Sequence, residues 1–472
     1  MELVRAGMNR YRLPRRGKMR VSGMVYVNPN LKRLLQEDKS LAQLADAAAL
    51  PGVVDPVVGM PDIHEGFGLP IGGVMAVTPD GVISAGAVGM DINCGVRLIR
   101  TELAAGELTV PVLRKLMERV EDCVPSGVGK KGRQANLTAR LFERVVHEGV
   151  RALIEGGYAT SRDLDCIEEN GCLAGANLNA ISPAAAKRGA VQLGTLGGGN
   201  HFIEFQEVTE IFDVELGAKF GLFPGQFTVM IHTGSRGFGH QICTDYSKSL
   251  LSAAKKYGIE LPSKGLACAP ADSPEGIAYY QAMACAVNFA FANRQMITYE
   301  TVGALIKVLG TPEKLGMRLV YDVAHNIAKW ETHHGRRVLV HRKGATRALP
   351  PGHGDNPTVY RDTGHPVLIP GSMGTASYVL VGTQDTAASF YSVNHGAGRT
   401  LSRTAAAKTI TRDDFERSMG KVLYNTRSYK DIVDEAPQAY KDIDEVVDTL
   451  AAINMTRLVA RLRPLAVIKG KD

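Results

Sequence analysis

Residues 57–100 read VVGMPDIHEGFGLPIGGVMAVTPDGVISAGAVGMDINCGVRLIR, and this stretch decides the fold class. Short β-branched runs at 74–77, 82–84 and 96–99 alternate with glycine and Asp-Gly punctuation, the pattern of strands joined by tight turns. Working outward, apolar positions over 31–50 recur at helical spacing until Pro51 and Gly52 break them. Two amphipathic helices are predicted over 110–120 and 137–154, the first with a proline near its start and the second leading into Gly156-Gly157. Strands are expected at 190–196, 202–207 and 227–232, and later at 318–322, 337–341, 366–369 and 378–383. The longest helical pattern, 276–309, mixes Ala, Met and Phe and reads as buried scaffold. Residues 350–362 read as an exposed polar loop and 443–462 as a C-terminal helix. Strands and helices interleave without repeat, linker or composition shift. The expected architecture is therefore α/β (α+β): one large domain over residues 1–472, a mixed β-sheet core flanked by helices.

Composition agrees with a globular enzyme-sized chain. Of 472 residues, 45% are hydrophobic and 22% charged, which excludes a disordered or fibrous class. Glycine occurs 51 times against 13 phenylalanines and one tryptophan, which suggests loops that bring backbone close to a ligand. No run of about 18 apolar residues suggests a membrane span. The basic start, with Arg5, Arg10, Arg12, Arg15, Arg16, Lys18 and Arg20, lacks the apolar core of a secretory signal, so a cytoplasmic location is expected. Seven cysteines without a CxxC pair argue against a disulfide framework. The net charge of +7 permits a polyanionic partner without requiring one.

Four of the twelve histidines follow a predicted strand inside a polar or glycine-containing turn: GNHF at 199–202, IHTG at 231–234, VAHN at 323–326 and VNHG at 393–396. A single histidine in such a place is more often a satisfied structural residue; four in one setting point to a site at strand ends. Asp91 and Cys94, in GMDINCG, add a carboxylate and a thiol to the imidazoles, the donor types of a transition-metal centre. Asp91, Cys94, His201, His232 and His325 exceed what one tetrahedral ion needs. Two ions bridged by the Cys94 sulfur would suit phosphoryl transfer. The other reading of Cys94 is an inert buried thiol. Spacing alone does not establish that donors scattered over residues 91–325 converge.

Eight strings in order along the chain resemble the RtcB family of RNA ligases: MPDIHEG (60–66), GMDINCGVR (89–97), GGGNHFIE (197–204), HTGSRG (232–237), YDVAHN (321–326), HRKGAT (341–346), PGSMG (370–374) and SVNHGAGR (392–399), closing on VIKG (467–470). The resemblance implies a central cleft with two manganese ions and GTP as co-substrate. The implied reaction joins an RNA 3′-phosphate or 2′,3′-cyclic phosphate end to a 5′-hydroxyl end through a guanylylated histidine. Asp91, Cys94 and His201 would hold one ion, and Cys94, His232 and His325 the other. His395 matches the nucleophile and Asp62 the carboxylate that orients it. Asn200, His201, Glu204, His325, Asn326, Pro370, Gly371, Ser372, Met373, Ser377, His395, Gly396, Ala397, Gly398, Tyr440 and Lys469 match positions lining the GTP site. Arg188, Arg236, Arg399 and Arg403 are candidates for RNA phosphates, because guanidinium forks match phosphate oxygens. The resemblance also leaves room for an activating protein of the archease type. Manganese comes with the resemblance; the donors themselves would also hold zinc or cobalt. A two-metal phosphoesterase or a 3′-phosphate GMP-capping enzyme would use much of the same set, whereas a non-enzymatic RNA-binding protein would leave His395, Asp62 and Lys469 unexplained.

Overall fold

The computed structural model describes residues 1–35, 38–133, 139–426 and 428–470. Two largely antiparallel sheets form its frame. The first runs, edge to edge, Val4–Gly7, Arg10–Leu13, Gly23–Tyr26, Val57–His64, Ile71–Val77, Arg336–Lys343 and Asn326–His333. The second runs Arg318–Ala324, Gly95–Ala104, Gln226–Thr233, Phe202–Ile211, Thr456–Lys469, Ser377–Gly382 and Val367–Ile369, with Leu423–Tyr424 added parallel to Thr456–Lys469. Neighbouring strands are often distant in sequence: Phe202 pairs with both His232 and Lys469. Ladder register, more than local sequence, therefore decides which strand ends meet. Helices flank the sheets, as the alternation of elements predicts.

The helix Pro274–Leu309 spans 36 residues, with proline in its first turn and Ser273 accepting the Gly276 N–H at its N-cap. Its middle is buried, yet it carries Arg294 with no exposed surface. Arg294 donates from Nε to Asp322 at 2.9 Å and from Nη1 to the carbonyls of Asn93 and Thr233, each at 2.8 Å. Arg97 sits 2.7 Å from the same carboxylate. Such buried charges persist because each has partners, and here they tie the scaffold helix to the loops at 91–95 and 233–235.

Several expected elements differ. The helix predicted over 31–50 is two, Pro29–Leu34 and Ser40–Ala47; between them the Asp38 carboxylate accepts the Ser40 N–H, and residues 36–37 lie outside the described set. Of the helix predicted over 137–154, residues 137–138 lie outside the described set. Its described α-helical part, Ala139–Glu148, ends where Gly149 takes φ +58°, and a Cβ there would stand 1.9 Å from the Gly171 carbonyl oxygen. The strand expected at 190–196 is a turn after the helix Pro183–Gly189. The N–H groups of Gly194 and Thr195 donate to the Asn293 side chain at 2.8 and 3.1 Å, which replaces a ladder partner. The C-terminal helix stops at Ala451; the chain reverses at Asn454, φ 58°, and Thr456–Lys469 is a 14-residue strand inside the second sheet. The loop 350–362 is not wholly exposed: Asn356 is buried and donates to the Pro350 carbonyl at 2.7 Å.

Candidate active site

The chain passes from one sheet to the other at His325, which stands between Arg318–Ala324 of the second sheet and Asn326–His333 of the first. Cys94 immediately precedes Gly95–Ala104, His201 immediately precedes Phe202–Ile211, and His232 lies near the end of Gln226–Thr233. Because His232 faces both Val96 and Phe202 across the ladders, register alone carries Cys94, His201 and His232 to one place. The His325 N–H donates to the Cys94 carbonyl at 2.9 Å and brings the fourth residue. Asn93, in the left-handed region at φ 50°, turns Cys94 inward; its side chain donates to Val287 and its N–H to Asn326, both at 2.7 Å. Gly234 is required opposite Asp91, where a Cβ would lie 2.5 Å from both carboxylate oxygens.

The Cys94 sulfur lies 3.4 Å from Nε2 of His201 and 3.3 Å from Nε2 of His232. Asp91 Oδ2 is 2.7 Å from His201 Nε2, and the Nε2 atoms of His232 and His325 are 3.3 Å apart. The triads Asp91–Cys94–His201 and Cys94–His232–His325 each keep their donor atoms within 4.8 Å of one another and share the sulfur. Burial pushes all three imidazoles below their ordinary range, most strongly His232 and His325, so they present neutral nitrogens. Burial and then Asp91 push the Cys94 thiol well up, the state from which a bound cation would draw the proton. Asp91 Oδ1, His232 Nδ1 and His325 Nδ1 are buried without a hydrogen-bond partner. Sulfur, Nε2 and carboxylate donors brought together, with the buried Asp91 Oδ1 unpartnered, fit a transition-metal ion.

A cleft of about 270 Å³ opens beside this cluster. Its walls include His64, Asn200, Phe202, the Pro370–Met373 turn, the His395–Gly398 loop, Tyr440 and Lys469. His395 Nδ1 lies 2.6 Å from Oδ2 of the fully buried Asp62, and the His395 N–H donates to that oxygen at 3.0 Å. In the neutral tautomer with Nδ1–H turned to the carboxylate, it is Nε2 that carries the ring's free lone pair. The His395 ring centroid is 4.8 Å from that of His325, so the held imidazole borders the donor cluster. Gly398 carries the loop across Asp62, where a Cβ would stand 2.2 Å from the Asp62 carbonyl oxygen.

Other expected residues fall around these two groups. Glu204 and Ser377 are buried and joined by Gln206, whose Nε2 donates to them at 2.6 and 3.2 Å. Ser377 Oγ also accepts the Gly371 N–H at 3.2 Å, which steadies the 370–373 turn. Burial pushes the Glu204 carboxyl up to about 8. Asn326 donates to the Asp91 carbonyl at 3.0 Å and accepts the Gly344 N–H at 2.8 Å. The four arginines separate. Arg399 and Arg403 line the cleft and approach Glu435 at 3.1 and 3.4 Å, whereas Arg188 and Arg236 border a second opening with Lys187, Gln192 and His240. Burial lowers the Lys469 pKa, although Glu435 opposes the shift. Glu435 and Gln206 escaped the sequence reading; neither lies in a glycine-rich turn or within the resembling strings. All seven cysteines are free, five of them buried.

Fold and site together define a mixed α/β protein with a Cys94-centred cluster of metal-type donors beside a carboxylate-held histidine. The chain belongs to the RtcB family: the family model described as tRNA-splicing ligase RtcB matches residues 43–470. It is similar to the tRNA-splicing ligase RtcB of Archaeoglobus fulgidus, 47% identical over 98% of this chain and 97% of the relative, and to that of Thermococcus kodakarensis, 46% identical over 99% of each. The RNA-splicing ligase RtcB of Mycobacterium tuberculosis is 45% identical over 91% of this chain and its own full length.

Proposed function

We propose that this RNA ligase joins a 3′-phosphate or 2′,3′-cyclic phosphate end to a 5′-hydroxyl end, with GTP as co-substrate and two Mn(II) ions at the Cys94-centred cluster. The observation that carries the reading is the 2.6 Å contact between His395 Nδ1 and Asp62, in a cleft bordered by that cluster. Asp91, Cys94 and His201 would hold one ion and Cys94, His232 and His325 the other; bound there, the ions would supply positive charge to neutralise that developing on phosphoryl oxygens.

The protein's own groups account for the remaining steps. Asp62 fixes the His395 tautomer, and Nε2 attacks the α-phosphorus of GTP; the bond to pyrophosphate breaks as the N–P bond forms. A cyclic end first takes up water, which breaks the P–O2′ bond and leaves a 2′-hydroxyl and a 3′-phosphate; an oxygen of the RNA 3′-phosphate then attacks the α-phosphorus, frees His395 and carries GMP. The 5′-hydroxyl oxygen finally attacks the activated RNA phosphate, loses its proton and expels GMP. Asn200, the 370–373 turn, the 395–398 loop, Tyr440 and Lys469 hold the nucleotide. Glu204, Ser377 and Asn326 shape the walls around it. Arg399 and Arg403 at the cleft and Arg188 and Arg236 at the second opening take RNA phosphates.

Residues 1–472 work as one unit, a reading supported by the first sheet pairing residues 71–77 with 336–343. Among the described residues no helix is long and apolar enough to cross a membrane. A cytoplasmic location and an archease-type activator belong to the same proposal. Incubating a 3′-phosphate RNA labelled at that phosphorus with a 5′-hydroxyl RNA, GTP and manganese tests it. Label is expected inside the joined strand, resistant to phosphatase; release as inorganic phosphate would identify a phosphoesterase instead.

A further inference from the structure

The strands Val57–His64 and Ile71–Val77 pair His64 with Ile71, and both residues line the cleft. At the turn between them Phe67 is 55% exposed, more than any other described Phe, Tyr or Trp. Met90, next to Asp91, is 47% exposed. One side chain holds both turns: Lys343 donates from Nζ to the carbonyls of Phe67 and Gly86, and its stem passes beneath Gly89, where a Cβ would lie 3.4 Å from its Cε. The Phe67 turn is pinned further at Gly68, φ +80°, where a Cβ would stand 2.4 Å from the Gly265 carbonyl oxygen and 2.7 Å from that of Gly86. Isolated exposed apolar residues are ordinary. Here two of them flank one buried lysine on constrained backbone, one beyond the His395-holding strand and the other beside the donor cluster.

We infer that Phe67, on the turn that Lys343 ties to the Gly86–Gly89 turn, is the stacking platform for the terminal nucleobase of the phosphate-bearing RNA end. The inference rests on the ligase reading above. An RNA end presents unstacked bases, and aromatic rings take them through their π-faces with little regard to identity, as an enzyme joining ends of varied sequence requires. The Phe67 turn joins His64 and Ile71, which line the cleft, so the platform serves the nucleotide whose phosphate enters there. Phe67 positions that end and takes no part in bond making.

The test compares wild type, Phe67→Ala and Phe67→Trp in ligation of 3′-phosphate RNAs whose terminal nucleotide is normal or abasic. Phe67→Ala should raise KM for the normal RNA by about tenfold, and Phe67→Trp should restore it. The abasic end should raise the wild-type KM similarly and leave Phe67→Ala no further loss. An unchanged KM, a loss that persists in full on the abasic RNA, or a loss that follows the base of the 5′-hydroxyl strand would overturn the assignment. GTP labelling of the same preparations separates the two levels. Wild type that labels and ligates leaves any negative KM result to fall on the platform alone, whereas wild type that does neither removes the ligase reading itself.

Discussion

Two buried polar clusters lie on either side of Asn93 and behave in opposite ways. In the first, Arg97 and Arg294 share Asp322, and Arg294 spends its remaining donors on Asn93 and Thr233. In the second, Cys94, His201, His232 and His325 face one another at 3.3–3.4 Å through sulfur and Nε2 atoms, and the buried Asp91 Oδ1 beside them has no hydrogen-bond partner. The first is complete without any ligand and stabilises the fold; the second is complete only when something enters it. Buried lone pairs held open by a satisfied neighbour distinguish a site from a scaffold.

Substitutions can break that contrast. The largest effect is expected for Asp322→Ala, which strands two buried guanidiniums and should cost about 3–5 kcal/mol in denaturant unfolding. An unfolding midpoint like that of wild type would show that the arginine pair is not structural. Cys94→Ala should act the other way, leaving metal-free stability close to wild type while manganese affinity, read by calorimetry, falls more than about 100-fold, beyond the loss of an outer-sphere partner. Asp62→Asn keeps the shape but not the charge that fixes His395, and should slow guanylylation about 100-fold with an unchanged melting temperature. The smallest effect is acid loss of a scaffold histidine. Burial lowers the His341 pKa to about 4, so the unfolded chain binds more protons between that value and the ordinary 6.5. The His341 contribution should therefore be full above pH 6.5 and decline toward pH 4, by on the order of 2 kcal/mol at pH 4.5; His341→Asn should lessen the acid slope by that share and leave the share of the other buried histidines.

The same contrast explains what the sequence reveals. His201, His232, His325 and His395 were legible as residues at strand ends in polar turns, and the structure brings the first three to Cys94 and the last beside them. Asp322, Arg97 and Arg294 gave no such signal, because a paired buried charge looks like a surface charge until the ladder places it. The strand Thr456–Lys469 was hidden for a related reason. Its Arg-Leu pairs at 457–458 and 461–462 repeat at helical spacing, whereas pairing with Phe202–Ile211 and Ser377–Gly382 imposes the extended form. Asn293 likewise captures the 194–195 backbone from far along the chain, which local propensity cannot register.

The central claim is that His395, held by Asp62 beside the Cys94 cluster, becomes covalently guanylylated. Purified protein incubated with manganese and α-labelled GTP, then denatured, tests it directly with His395→Ala in parallel. Label that survives denaturation, is released by acid and is absent from the variant is the predicted result; label of equal intensity on His395→Ala, or none on wild type across divalent metals, would contradict it.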